Sequence, residues 1–380
     1  MSDRQPLPLI VLASGGTGGH VFPAQALAEE LQRRGHRLAL VTDRRAAAFS
    51  GTLGRIEVHR IQAGAVSGRS IVGRIGALAR LAMGFFQARR LLKRLQPAAV
   101  VGFGSYPSVP TVLAATMLSI PTVIHEQNAI FGRANRLLAP RVSRIATAFE
   151  TVKTMRARDR RRAVRTGNPV RPAIVAMRDR PYPPLTDEGP IDLLVFGGSQ
   201  GAAVFAEVVP AAIRLLDAPL AQRLRIAQQC READIETARR GYRGMEDRVT
   251  LSPFFSDMPE RLAAAQLVIA RSGASTLAEL TCVGRPAILV PYPHATDDHQ
   301  KANAEELCDI GGGWMFSQDT FTPDALAQRL TSLLTMPRSI QTAIESARRL
   351  GVPDAAERLA DVVGELVAAN AVKSGMGGAA

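Results

Sequence analysis

Aromatic residues are scarce in this chain, at 5% of 380 residues, with one tryptophan and four tyrosines. A nucleic-acid surface built on stacked rings has little to draw on, and no known docking motif accompanies the basic residues. Cysteine is scarcer still. Cys230, Cys282 and Cys308 are scattered and odd in number, and no CxxC pair occurs. That excludes a disulfide framework and gives no zinc site, so the three read as small buried hydrophobes in a reducing compartment. No apolar run reaches the roughly 18 residues of a spanning helix. The best one, Val109 to Ile124, is broken by Pro110 and Pro121. The short apolar run near the N-terminus lacks an A-x-A site and flows into glycines, so it reads as a first strand rather than a secretory signal. Acidic residues are missing altogether between Val58 and His125. A cytoplasmic protein with only peripheral membrane contact is expected.

The acid-free span is not neutral. It carries Arg60, Arg69, Arg74, Arg80, Arg89, Arg90, Lys93 and Arg94, interleaved with Ile71, Ile75, Leu78, Leu81, Met83, Phe85 and Phe86. Basic and apolar residues mixed in this way read as an element lying on an anionic membrane surface. Each basic residue near such a leaflet contributes ~1 kcal/mol. The formal net charge of +13 also calls for an acidic partner; with no stacking platform, that partner is not expected to be nucleic acid.

Glycine is abundant, and its placement carries most of the information. Ser14-Gly15-Gly16-Thr17-Gly18-Gly19-His20 follows an apolar strand and leads toward a helix expected from Pro23 to Arg34. Glycine lets a backbone approach a ligand, and a helix start offers N–H groups and a positive dipole end. A second copy stands at Gly197-Gly198-Ser199-Gln200-Gly201-Ala202, after the strand Ile191–Phe196. Two such loops in a chain of this length predict two similar α/β domains, doubly wound with parallel sheets and facing a cleft. The Arg- and Pro-rich stretch from Arg161 to Pro190 reads as holding the linker and the start of the second domain. Expected domains are 1–165 and 166–352, with a helix over 353–370 packing back on the first and a flexible tail at 371–380.

Several residues are candidates for chemistry. His20 lies where the first loop meets its helix; the dipole disfavours imidazolium there, which suits a general base at a sugar hydroxyl. A histidine that only bonds phosphate or backbone stays open. The loop is neither a Rossmann fingerprint, since Val21 replaces the last glycine, nor a P-loop. Asp43, ending the second strand, keeps a dinucleotide reading alive. Ser275 and Thr276 put hydroxyls and N–H groups at a helix start, and Glu279 follows on the same face, placed to accept ribose hydroxyls. A capping box has the same spacing. His125-Glu126-Gln127-Asn128 sits at a strand's carboxyl end, where open α/β sheets bind ligands. His294, Asp297, Asp298 and His299 have no strong metal spacing and read as a hydrogen-bonding loop.

Gly15-Gly16-Thr17-Gly18-Gly19-His20, His125 to Asn128, Thr166-Gly167-Asn168-Pro169-Val170-Arg171, Gly197 to Ala202 and Arg271-Ser272-Gly273-Ala274 occur together in this order. On these motifs the chain resembles the MurG family of bacterial UDP-N-acetylglucosamine transferases, which convert lipid I to lipid II in peptidoglycan synthesis. The resemblance covers nearly the whole chain. It implies a GT-B fold and an inverting transfer of GlcNAc from UDP-GlcNAc to the 4-hydroxyl of an undecaprenyl-linked MurNAc-pentapeptide. His20 is the first candidate for the base, with Glu126 second. The implied donor site comprises Glu279 on the ribose, the backbone near Phe255 on uracil, and Ala274, Ser275, Thr276, Leu277 and Ser199 around the diphosphate. Gln300, Asn128, Arg171 and Thr17, Gly18 and Gly19 complete it. Gly15, Gly16, Gly104, Tyr106 and His125 fall on the acceptor side. No cofactor or metal is implied, and the expected place is the cytoplasmic face of the inner membrane. Ala203 and Ala206 stand where the family often has Arg and Asn, and Ser105 replaces a common glycine. Rival readings are another GT-B transferase with a different lipid acceptor, and a non-catalytic nucleotide-binding protein recruited to membranes.

Overall fold

The computed structural model describes residues 8–15, 18–43, 51–63, 71–198 and 201–376. The chain divides into two compact units, Met1–Arg171 with Asp354–Ala380, and Pro172–Pro353.

The first unit is built on seven strands: β1 Leu9–Ala13, β2 Arg37–Asp43, β3 Glu57–Ile61, β4 Ala99–Gly102, β5 Thr122–Glu126, β6 Arg144–Thr147 and β7 Ala163–Arg165. They pair in parallel in the order β3-β2-β1-β4-β5-β6-β7. Successive strand residues face opposite sides, so each inner strand is apolar on both. Val11, Val41, Val100, Ile124 and Ile145 enter one core layer. Ile10, Leu12, Leu40, Val101 and Val123 enter the other. The second layer also takes Leu27 and Leu31 of the helix Gly18–Arg33, and Leu359, Ala360, Val362 and Val363 of the helix Ala355–Met376. The last helix thus packs on the first unit.

The second unit has six strands: β8 Ile191–Phe196, β9 Leu224–Gln229, β10 Val249–Ser252, β11 Leu267–Ala270, β12 Ala287–Leu289 and β13 Gly313–Met315. Their order is β10-β9-β8-β11-β12-β13, again parallel throughout. In both sheets the order reverses beside the first strand, between β1 and β4 and between β8 and β11. Such a switch point leaves a crevice at the strands' carboxyl ends. Each glycine loop follows the first strand of its sheet and so opens there.

Three boundaries differ from the sequence reading. The first helix starts at Gly18, not Pro23, so Pro23 lies inside it. Within the Arg161–Pro190 stretch, Ala163–Arg165 still belongs to the first sheet, pairing with β6, and the units part after Arg171. The last helix runs to Met376, past the expected tail start at 371, because Ala371 to Ser374 contains no helix breaker.

Candidate active site

In the first unit, His20 is the third residue of its helix. Its Nδ1 lies 2.8 Å from the Phe103 carbonyl, which follows β4. A carbonyl only accepts, so Nδ1 carries the hydrogen and the neutral ring bears its lone pair on Nε2. The Ser14 hydroxyl donates to the His20 carbonyl at 3.1 Å, tying the loop to the helix. Gly104 and Ser105, next along the chain, have φ of 77° and 61°. The position where the family often has glycine therefore keeps a left-handed backbone that serine adopts at some cost. A Cβ on Gly104 would stand 3.6 Å from His20 Cε1 and from Asn135 Nδ2, so this turn lies against the candidate base. Gly15 is required by contact: a Cβ there would meet Pro107 Cβ at 2.8 Å. Tyr106 is half-buried at the start of the following helix.

Behind His20 runs a buried polar network. Gln127 Nε2 donates to the same Phe103 carbonyl at 2.9 Å and to His125 Nδ1 at 3.2 Å. His125 Nε2 in turn donates to the Gly167 carbonyl at 2.9 Å. Every proton on these groups is thereby fixed. Burial pushes the His125 pKa down from 6.5 to about 4, opposed by the Gly167 bond and assisted by the nearby His20. The buried ring thus stays neutral while the unfolded chain takes up a proton below pH 6.5. Stability is therefore full above that pH and falls as pH drops toward 4. Wild type should lose about 2 kcal/mol more than His125→Gln between pH 7 and pH 5. Urea unfolding of both at the two pH values measures this, and equal losses would refute the neutral ring.

Glu126 is buried and accepts from Asn128 N at 3.1 Å, Asn128 Nδ2 at 3.3 Å, Gly132 N at 2.8 Å and Asn135 Nδ2 at 2.8 Å. Burial raises its pKa and these donors partly offset the rise. All four donors lie within the next nine residues, in the turn after β5 and the short helix Arg133–Leu138, which is the geometry of a local clasp rather than of a group reaching for substrate. Arg171 places its guanidinium 4.8 Å from the Phe22 ring centroid, one turn into the first helix. Gly16, Thr17 and Ser199 lie outside the described residues.

In the second unit, the glycine loop after β8 is tight. A Cβ on Gly197 would come within 2.3 Å of the Gly201 backbone, and Gly198 and Gly201 have φ of 75° and 67°. Across the switch point, the helix Ala274–Val283 begins with Gly273 as its N-cap. Its first internal bond runs from Leu277 N to the Gly273 carbonyl at 3.0 Å. The N–H groups of Ala274, Ser275 and Thr276 precede it at the positive end of the helix. Thr276 is not the N-cap, so it does not form the capping box that its spacing to Glu279 allows. Glu279, 8% exposed, sits on the same helix. Ser272 donates to the Gln300 carbonyl at 2.8 Å, and Gln300 Oε1 accepts from Tyr292 N at 2.9 Å, which brings Gln300 beside this helix start. Phe255 is buried with Arg261 4.2 Å above its ring, beyond the end of β10.

Arg271 entered the sequence reading only as part of a motif, with no role; it is buried just after β11. It donates to the Val290 and Pro291 carbonyls, each at 3.0 Å, and to Gln318 Oε1 at 2.5 Å. Asp297 and Asp298 have φ of 55° and 53°, and His299 Nδ1 donates to the Thr296 carbonyl. Among the described residues no group of three or more His, Cys, Asp or Glu could hold a metal ion.

Residues 10–147 match the glycosyltransferase family 28 N-terminal domain, and residues 192–359 its C-terminal domain. A UDP-N-acetylglucosamine–N-acetylmuramyl-(pentapeptide) pyrophosphoryl-undecaprenol N-acetylglucosamine transferase of Paramagnetospirillum magneticum is 57% identical, over 95% of this chain and 97% of its own. The transferase of the same description from Rhodospirillum rubrum is 55% identical, over 93% and 91%. Among solved structures, Acinetobacter baumannii MurG superposes with a TM-score of 0.74 at 31% identity, covering 94% of this chain and 99% of that one. Two parallel-sheet units with a glycine loop at each switch point, and matches of this extent, have one reading: the chain is a glycosyltransferase with the GT-B fold and belongs to the MurG family.

Proposed function

We propose that the protein moves GlcNAc from UDP-GlcNAc to the 4-hydroxyl of MurNAc in undecaprenyl-pyrophosphoryl-MurNAc-pentapeptide, with inversion at the anomeric carbon. The observation that carries the mechanism is the His20 ring, held by its Nδ1–H on the Phe103 carbonyl so that Nε2 is the basic nitrogen. The hydroxyl oxygen bonds to the anomeric carbon, the bond from that carbon to the diphosphate oxygen breaks, and Nε2 takes the hydroxyl proton. UDP leaves with its negative charge against the open end of the Ala274–Val283 helix, which does the work a cation would otherwise do. Ala274, Ser275, Thr276 and Leu277, with Ser199, hold the diphosphate. Glu279 accepts the ribose hydroxyls, Gln300 the sugar, and the backbone at Phe255 the uracil. Gly18, Gly19, Asn128 and Arg171 of the first unit are assigned to the donor as well. Gly15, Gly104, Tyr106 and His125 belong to the acceptor side, and Glu126 positions the loop carrying Asn128.

The names of the two transferase relatives support both substrates. Release of UDP in the presence of lipid I, but not of diacylglycerol, is the direct test; no release with lipid I rejects the reaction. Glu279→Ala should raise the KM for UDP-GlcNAc roughly tenfold or more while the acceptor KM moves little. An unchanged donor KM removes Glu279 from the ribose.

The acceptor is lipid-linked, and the helix Ile71–Leu95 fits a membrane surface. Ala77, Gly84, Ala88, Leu91 and Leu92 are buried, while Leu78, Met83 and Phe86 are exposed beside exposed Arg80, Arg89, Arg90, Lys93 and Arg94. Arg69 lies outside the described residues, as do the side chains of Ile71, Arg74 and Ile75. Among the described residues no helix is long and apolar enough to cross a membrane. Peripheral attachment to the anionic, cytoplasmic face of the inner membrane is the reading this face supports, with no nucleic acid as partner.

A further inference from the structure

Asn168 is 6% exposed, and neither its Nδ2 nor its Oδ1 has a hydrogen-bond partner. Among the described residues it is the one side chain with two such orphaned atoms. A buried amide left unpaired opposes folding, so folded proteins rarely keep one without a reason. Slack in the chain is not the reason here. Gly167, just before, takes φ 81°, a conformation that favours glycine. Pro169, just after, restricts the Asn168 backbone to extended forms. The Gly167 carbonyl accepts from His125 Nε2 at 2.9 Å and Thr166 Oγ1 at 3.1 Å. Thr166 N and Gly167 N both donate to the Thr147 carbonyl, at 3.0 and 3.1 Å. The backbone is fixed on each side of an amide that none of the described residues satisfies.

Its place is informative. Asn168 follows β7 at the carboxyl edge of the first sheet, one residue from the carbonyl that orients His125. Three residues further on, Arg171 lies over Phe22, whose ring is 3.0 Å from where a Gly18 Cβ would stand. The 166–171 segment therefore reaches from His125 to the first turn of the His20 helix, along the edge where open α/β sheets bind ligands.

We propose that Asn168 is a substrate-binding residue whose amide takes sugar hydroxyls, Nδ2–H donating to one hydroxyl oxygen and Oδ1 accepting from an O–H. A sugar hydroxyl both donates and accepts, which matches an amide lacking both kinds of partner. The proposal rests on the transferase reading, under which the hydroxyls belong either to the donor's GlcNAc or to the acceptor's MurNAc. Asn168→Ala should raise one KM, for UDP-GlcNAc or for the lipid-linked acceptor, about tenfold or more; that is about 1.4 kcal/mol per tenfold. The KM that rises names the sugar. Ligand-free Asn168→Leu, an apolar side chain of similar size, should melt at or above the wild-type Tm, since it removes an unpaired polar group. Two unchanged KM values in Asn168→Ala, or a lowered ligand-free Tm in Asn168→Leu, overturn the proposal. If the wild type itself releases no UDP, the reaction reading fails separately. Calorimetric titration of UDP-GlcNAc and lipid I into wild type and Asn168→Ala then decides on Asn168, equal affinities counting against it.

Discussion

His20→Ala lowers kcat by about 10²- to 10⁴-fold, the usual contribution of one positioned general base. The KM for UDP-GlcNAc should stay within about threefold, because the proton moves only in the transition state. Folding should be little affected. The Phe103 carbonyl that His20 occupies also accepts from Gln127 at 2.9 Å, so losing the imidazole does not leave that carbonyl bare. The variant should therefore melt near wild type, which separates a missing base from a misfolded protein. No other group in the network is placed to replace Nε2. His125 is neutral but spends both ring nitrogens on Gln127 and Gly167. Glu126 is enclosed by four donors from the nine residues that follow it. Near-normal kcat in His20→Ala would move the base elsewhere and leave His20 as a phosphate or backbone ligand.

Much of this architecture is readable along the chain because its signals are local. Apolar strands of four to seven residues, each followed by a helix, are visible as runs, and a glycine loop after the first strand of each sheet marks the switch point without any knowledge of strand order. The Ser275–Glu279 spacing likewise survives, since one helix fixes it. What is not local is not readable. The Arg161–Pro190 stretch looks like a linker because nothing in its composition shows that Ala163–Arg165 will find β6 as a partner. The role of Glu126 depends on Asn135, nine positions away, and the tautomer of His20 depends on a carbonyl 83 positions away. A carboxylate after a strand looks the same in sequence whether its lone pairs meet a substrate or four amides. Asn168 was visible as part of a motif, but its lack of partners is a property of packing alone.

Arg285 shows the same limit with the largest expected effect on stability. Nothing around it in sequence marks it, yet its side chain is fully buried. It donates to the Leu262 carbonyl at 3.0 Å and the Ala263 carbonyl at 2.6 Å, with longer contacts to Val283 and Gly284 at 3.4 and 3.5 Å. These carbonyls end two helices, Met258–Ala264 and Ala274–Val283. A guanidinium there answers two negative dipole ends and supplies donors that the helices lack. Burial lowers its pKa to about 10, which still leaves it charged at neutral pH; the Tyr182 ring lies 5.3 Å from it. Arg285→Met keeps much of the volume and removes every donor. At least two buried carbonyls then go unpaired, at about 1–3 kcal/mol each, so a loss of about 3–5 kcal/mol is expected. For a domain of this size that is a Tm drop of roughly 10 °C or more. The far end of the second helix is the proposed diphosphate site, so the residue that anchors its C-terminus also holds Ser275, Thr276 and Glu279 in place. UDP-GlcNAc binding energy adds to the folded side only, so saturating donor should restore part of the lost Tm. A thermal scan of wild type and variant, with and without donor, measures both. A drop of only a degree or two would mean that water reaches these helix ends and that Arg285 is not their anchor.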